Sequence, residues 1–208
     1  VDPPLAIASR GRELWIEALN ARGRVLAGFL ANALEDCADV ASVTSDGSRI
    51  DVTIAQPERA VTEEERSRIP TVFSVLRTIV SLFRSSEDAA IGLYGAFGYD
   101  LAFQFDPVAE VQARDPARRD LVLYLPDELL EVDHYSASAY LTRYDFAFAG
   151  ASTEGLERGG PDAPFIASDT IPSRGDHQPG EYAELVRAAK EQFRCGNLFE
   201  VVPGQVFY

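Results

Sequence analysis

The stretch Leu121-Val122-Leu123-Tyr124-Leu125-Pro126-Asp127-Glu128-Leu129-Leu130-Glu131-Val132-Asp133-His134 decides the fold. Leu121 to Leu125 and Leu129 to His134 are short apolar runs, and Pro126-Asp127 between them has turn chemistry. Ala139 to Phe148 follows as a third strand candidate. Parallel neighbours would need a crossover of about a dozen residues or more, and these connections are far shorter. The three strands are therefore predicted to form an antiparallel meander rather than part of a parallel α/β sheet.

Towards the amino end, Leu14 to Ala18 has strand character, and Asn20-Ala21-Arg22-Gly23 reads as a turn into Arg24-Val25-Leu26, an antiparallel pairing. Leu26, Phe29, Leu30 and Leu34 recur at helical spacing between Val25 and Cys37. Val40 to Thr44 and Ile50 to Ile54 flank Ser45-Asp46-Gly47-Ser48, where Gly47 can take the positive φ of a tight hairpin. Thr62 and Glu65 have capping-box spacing, and Glu63-Glu64-Glu65 suits a helix start. Pro70 opens a second helix with Phe73, Leu76, Val80 and Phe83 on one face. Ala90 to Tyr94 reads as a strand, followed by a sharp turn through Gly95 and Gly98 that Tyr99 and Asp100 fix by hydrogen bonds.

Towards the carboxyl end, glycine, proline, serine and aspartate dominate from Gly150 to Gly180, the composition of a linker or long loop. Tyr182, Leu185, Val186, Ala189 and Phe193 then mark an amphipathic helix that Gly196 can end, and Leu198 to Val202 reads as a buried strand. The expected organisation is a scaffold region at 1–150, a linker or long loop at 151–180, and the start of a second region at 181–208. The chain has no methionine, begins Val1-Asp2-Pro3-Pro4 and stops at Tyr208 just past the last strand candidate, so it is expected to be a piece of a larger soluble protein.

Thirty-three acidic against nineteen basic residues give a formal charge of −14. That charge repels a phosphate backbone and an anionic bilayer, so neither nucleic acid nor membrane is an expected partner. No apolar run reaches the length of about 20 residues that spans a bilayer, and a cytoplasmic location is expected. Cys37 and Cys195 lack any metal-ligand or redox spacing and are expected to be buried free thiols. His134 and His177 stand apart from one another and from both cysteines, which disfavours zinc. No Gly-x-Ser-x-Gly elbow is present. The glycines at 92, 95 and 98 lack the order of a dinucleotide loop, and their spacing points instead to close backbone packing.

Two segments carry a resemblance. Gly92-Leu93-Tyr94-Gly95-Ala96-Phe97-Gly98-Tyr99-Asp100-Leu101 resembles the glycine-rich stretch of anthranilate synthase large components, which are chorismate-using enzymes. Tyr182 to Phe207, with Gly196-Asn197-Leu198-Phe199-Glu200-Val201-Val202-Pro203-Gly204-Gln205, resembles the start of their chorismate-binding region. Pro70 to Arg77, Asp120 to Glu128 and the run from Glu200 to Gln205 look most like the fused form, in which synthase and glutamine amidotransferase share one polypeptide.

The resemblance implies an α+β fold, antiparallel sheets with helices packed outside, present here as an incomplete amino-terminal half of the chorismate-using enzyme fold. It implies a longer protein that converts chorismate and ammonia from glutamine to anthranilate and pyruvate in tryptophan biosynthesis, with Mg2+, an amidotransferase partner and tryptophan as inhibitor, and it is compatible with a homo-oligomer. Its metal carboxylates, substrate-binding basic residues and catalytic histidine fall beyond Tyr208, and no metal or cofactor residue is assigned here. Its inhibitor pocket uses segments before Val1 and after Tyr208, so this chain alone is expected to be inactive and to bind neither chorismate nor tryptophan tightly. One residue is carried over. Water-using relatives place a lysine where Glu200 stands, and ammonia-using ones an amide or acid, so Glu200 is implied to line the ammonia approach. Aminodeoxychorismate and aminodeoxyisochorismate synthases share this chemistry, and a non-catalytic docking or regulatory domain for an amidotransferase is the alternative from another class.

Overall fold

Six strands form one antiparallel sheet in the computed structural model, which describes residues 2–56, 62, 69–105, 114–115, 117–148, 150–159 and 175–207. The chain divides into two compact units, Val1–Pro161 and Asp162–Tyr208.

In the first unit, β1 (Leu5–Arg10), β2 (Glu13–Ala18), β3 (Val40–Ser45), β4 (Arg49–Ile54), β5 (Tyr94–Phe97) and β6 (Leu121–Leu125) lie in the order β3-β4-β2-β1-β6-β5. Strand side chains alternate between faces, and the register puts Ile7 opposite both Ile16 and Leu123. Leu5, Ile7, Leu14, Ile16, Ile50, Val52, Ile54, Leu121, Leu123 and Leu125 thereby share one almost fully buried face. Helix α1 (Ala21–Glu35) adds Leu26, Leu30 and Leu34 to this core, and α2 (Val72–Phe83) adds Val72, Val75, Leu76, Ile79 and Phe83. Phe83 meets Phe29, Phe146 and Phe148 edge-on. The opposite face carries Ala6, Ala8, Trp15, Glu17, Val122 and Tyr124 around a hollow of about 170 Å³.

The α+β class and the antiparallel sheets are as expected, and the hairpin through Gly47 (φ +87°) forms as read. Strand β2 pairs antiparallel with β4 on one side and on the other with β1, a strand that the sequence reading did not include. Asn20-Ala21-Arg22-Gly23 is no turn into a strand. Asn20 is the N-cap of α1, its side-chain oxygen accepting from the Gly23 amide at 3.0 Å, which satisfies one of the otherwise orphaned amides of the first turn. Helix α2 begins one residue after Thr71, whose amide donates to Ser74 Oγ at 3.1 Å. Of the capping box expected at Thr62 and Glu65, and the acidic helix start at 63–65, everything but Thr62 lies outside the described residues. The buried face of α2 is also rotated from the expected one, leaving Val80 40% exposed.

The meander forms only in its second half, where the strands at Glu128–Asp133 and Ser138–Arg143 pair antiparallel, and β6 does not join it. Strand β6 lies between β1 and β5, so both its edges are occupied. Strand β7 (Glu128–Asp133) pairs with β8 (Ser138–Arg143) in a separate ribbon, and β9 (Ala147–Phe148) with β10 (Ala151–Ser152) in another. The strand read at Ala90 to Tyr94 runs instead from Tyr94 to Phe97, within the glycine-rich stretch, and a 3-10 helix follows at Tyr99–Gln104. Close packing holds at two of the three glycines: a Cβ on Gly95 would stand 2.1 Å from the Val122 carbonyl oxygen and one on Gly98 2.8 Å from that of Asp120, whereas one on Gly92 would meet nothing within 4 Å. Tyr99 is 85% exposed and does not hold the turn. Asp120 does, its carbonyl accepting from the Gly98 amide at 2.6 Å, while Asp100 pairs with Arg114 at 3.0 Å.

The second unit contains α3 (Glu181–Arg194) and the segment after it. Gly196 (φ +74°) ends α3 in a Schellman arrangement, its amide reaching Phe193 O at 3.0 Å and the Asn197 amide reaching Gln192 O at 3.0 Å. Leu198 to Val202 is neither a strand nor buried, with Phe199 100% and Val202 82% exposed. A strand requires a partner, and among the described residues only an isolated bridge, Gly175 to Phe207, forms nearby. Cys37 is half-buried and Cys195 exposed, so the second thiol is not the buried one expected. Among the described residues no helix is long and apolar enough to cross a membrane.

Candidate functional site

Two polar constellations stand out, one in each unit. In the first, Arg22 projects from the opening turn of α1 and is 1% exposed. Its guanidinium donates to the Asp127 carboxylate, to the carbonyls of Thr153 (2.7 Å), Leu156 (3.3 Å) and Tyr144 (2.7 Å), and to Asp145 Oδ1 (2.9 Å). Arg158 doubles the clamp, reaching the Asp127 carbonyl at 2.9 Å, its carboxylate at 3.1 Å and Asp145 at 2.8 Å. This joins the start of α1, the β6–β7 turn and the segment from Tyr144 to Arg158. Asp127 therefore turns the chain out of the main sheet at Pro126, where a ladder amide is also missing. The guanidinium fork is filled by protein acceptors, which makes this a structural clasp and not a substrate site.

The hydrogen bond from Arg22, reinforced by the charges of Arg158 and Arg22, holds the Asp145 carboxyl below its ordinary value of 3.8. A carboxyl with a depressed folded-state pKa stabilises the fold above its unfolded value, and that contribution is lost as pH falls through the folded value. Asp145→Asn should accordingly flatten the fall of stability on acidification below about pH 4, read as denaturant midpoints across a pH series.

In the second unit, the chain before α3 and its end are pinned together. The Asp176 amide donates to Val206 O at 3.1 Å, and Asp176 Oδ1 accepts from the Val206 amide at 3.1 Å. His177 Nδ1 lies 2.5 Å from the same carboxylate oxygen and holds the Asp176 carboxyl below its ordinary range. A cleft of about 420 Å³ opens here beside Gly175, His177, Gln178, Tyr182 and Gln205. The Tyr182 hydroxyl donates to Pro203 O at 3.3 Å, so the segment carrying Glu200 is tied down on both sides of Gly204.

Glu200, the residue the sequence singles out, is exposed, and no described side chain bonds to its carboxylate. It is free to accept hydrogen bonds from an incoming donor. The sequence reading missed the Asp176–His177 pair, although adjacency of the two residues was a visible signal. It also missed the Arg22 clasp, for which no local signal exists, since Arg22 and Asp127 are 105 positions apart. No group of three or more His, Cys, Asp or Glu side chains able to hold a metal occurs among the described residues. The described residues do not fit a metal centre.

No family model matches the chain. It is 48% identical over 206 residues to an anthranilate synthase of Azospirillum brasilense, an alignment covering 99% of this chain and 28% of that protein. It is 30% identical to an anthranilate synthase component 1 of Vibrio parahaemolyticus and 26% to one of Escherichia coli, in each case over 100% of this chain and 40% and 42% of the relative. The chain thus spans well under half the length of these curated relatives.

Proposed function

Because this chain is, over its whole length, a homologue of the anthranilate synthases, we propose that it forms part of an enzyme making anthranilate from chorismate and ammonia. The observation that carries this is the 48% identity across 99% of the chain, which takes in the glycine-rich strand β5 and the segment of Glu200 together. In this reading the reaction is a lyase step of tryptophan biosynthesis that releases pyruvate, and a glutamine amidotransferase unit supplies the ammonia. The relatives named component 1 imply by that name a second component. Magnesium belongs to this reading of the longer protein, but the described residues of this chain do not fit it and no step is derived through it.

Glu200 lines the ammonia approach in this reading. A carboxylate accepts hydrogen bonds from N–H donors, so it can hold ammonia with its lone pair directed at the ring carbon and can take up a proton from the nitrogen as the new C–N bond forms and the ring C–OH bond breaks, the hydroxyl leaving as water with a proton supplied by a residue outside this chain. Chorismate would be held by residues outside this chain. A protonated lysine at the same place would have no lone pair to accept a hydrogen bond from ammonia.

The test is Glu200→Ala and Glu200→Gln in the protein at the length of its relatives. Ammonia-dependent anthranilate formation should fall about a hundredfold for the alanine variant, the scale of a lost general base. The glutamine variant should retain more, through an altered KM for ammonia. Unchanged ammonia-dependent turnover in Glu200→Ala would remove the residue from the site. Product analysis on the same protein separates anthranilate from the aminodeoxychorismate products.

A further inference from the structure

The outer side of α2 combines three properties that are rare together in a chain of net charge −14. It is apolar, it is basic, and its charges are unused. Phe73, Val80 and Phe97 form the floor of a groove of about 310 Å³, with Val80 40% and Phe97 57% exposed. Phe97 lies near-parallel to Phe73, ring centroids 6.0 Å apart, so β5 and α2 both shape the floor. Arg77 and Arg84 border it, exposed and two helical turns apart, about 10 Å along the axis. Helix α2 has no acidic residue, and among the described residues neither arginine makes an ion pair or a hydrogen bond. The groove continues past Arg84 into a larger hollow that includes Ser85 and Ser86.

A single exposed phenylalanine is ordinary on a protein surface. An exposed aromatic floor between unpaired guanidiniums has instead the composition of an interface centre, where aromatic residues and arginine are enriched. Charge selects the occupant. Carboxylates of a partner would form charge-assisted bonds to Arg77 and Arg84 as water leaves the groove, while basic segments are repelled.

We propose that this groove docks a protein segment, apolar along one side and edged by Asp or Glu, belonging to the amidotransferase unit of the assembly, an assignment that rests on the function proposed above. A helix laying apolar residues at i, i+4 and i+7 over Phe73, Val80 and Phe97 matches the spacing of the two arginines.

The experiment uses the protein at the length of its relatives with its amidotransferase unit present, and compares anthranilate formation from glutamine with formation from an ammonium salt. In Arg77→Glu/Arg84→Glu the glutamine-supported rate should fall about tenfold or more, while the ammonia-supported rate stays within about twofold. Arg77→Lys/Arg84→Lys should keep most of the glutamine-supported rate. A double glutamate variant equal to wild type with glutamine overturns the docking groove and leaves the proposed function standing. Parallel loss of both rates overturns it too, because the arginines then serve the fold or the chemistry. If wild type itself makes no anthranilate from ammonia, the function proposed above fails and the groove assignment with it.

Discussion

Arg22→Ala should cost about 3–5 kcal/mol of unfolding free energy, the range for removing one partner of a buried ion pair. The Asp127 carboxylate is 1% exposed and its Oδ1 has no hydrogen-bond partner, so Arg22 and Arg158 meet the needs of its other oxygen. Losing Arg22 also strips donors from the carbonyls of Thr153, Leu156 and Tyr144. Arg158 cannot reach all of these at once. Lysine should not rescue the variant, because one ammonium cannot reproduce a planar fork aimed at five acceptors. Set against a typical domain stability of about 5–15 kcal/mol, the loss is large enough to unfold a marginal protein at ambient temperature. Urea titration measures it directly. Arg49→Ala is the internal comparison: Arg49 pairs with Glu17 at 2.7 Å and Asp51 at 2.8 Å but is 41% exposed, so its loss should cost about 1 kcal/mol or less. If Arg22→Ala cost no more than Arg49→Ala, the clasp would not be what fixes the β6–β7 turn.

The second large effect is expected at Gly95. An alanine Cβ there would stand 2.1 Å from the Val122 carbonyl oxygen and 2.9 Å from the Leu123 Cα, and both are backbone atoms of the paired strand. Neither can swing aside as a side chain would. Relief requires β5 to move off β6, at a cost of about 1–3 kcal/mol or more. The displacement would loosen the hydrogen bond from the Gly98 amide to Asp120 O and the stacking of Phe97 on Phe73. Amide exchange along β5 and β6 should therefore quicken well beyond the change in global stability. Gly92→Ala offers the contrast, since a Cβ there meets nothing within 4 Å and the substitution should be nearly neutral. Equal effects at the two glycines would mean that backbone proximity is not why Gly95 lacks a side chain.

Features encoded within a few residues were legible. The Gly47 hairpin, the amphipathic α3 and its termination at Gly196 each depend on one φ angle or on apolar spacing within a helix, and all three form as read. The glycine spacing pointed to close packing that holds at Gly95 and Gly98 and not at Gly92, and β5 lies within that stretch and not before it. Asn20 was misread for a physical reason: the same residue types start helices and make turns, and only the capping bond to Gly23 separates the two. The face of α2 was misassigned although its polar stripe, Ser74, Arg77, Thr78 and Ser81, marks the uncovered side: Phe73 and Val80 flank that stripe, and the covered face lies opposite it at Val72, Val75, Leu76, Ile79 and Phe83. Of the candidate site, the sequence supplied Glu200 and its resemblance, but not the ties at Asp176 and Tyr182 that hold the segment around it.

By itself, then, the sequence determined the Gly47 hairpin, the places of the helices and the kinship of the chain, and through that kinship the α+β class, because these follow from local backbone preference, apolar period and short motifs. Only the tertiary structure decided that β6 sits between β1 and β5, that β7 leaves the sheet, and that Arg22 and Asp127 meet across 105 positions. Strand order and buried charge pairing are set by which distant groups must share a desolvated space, and no window of sequence contains both partners.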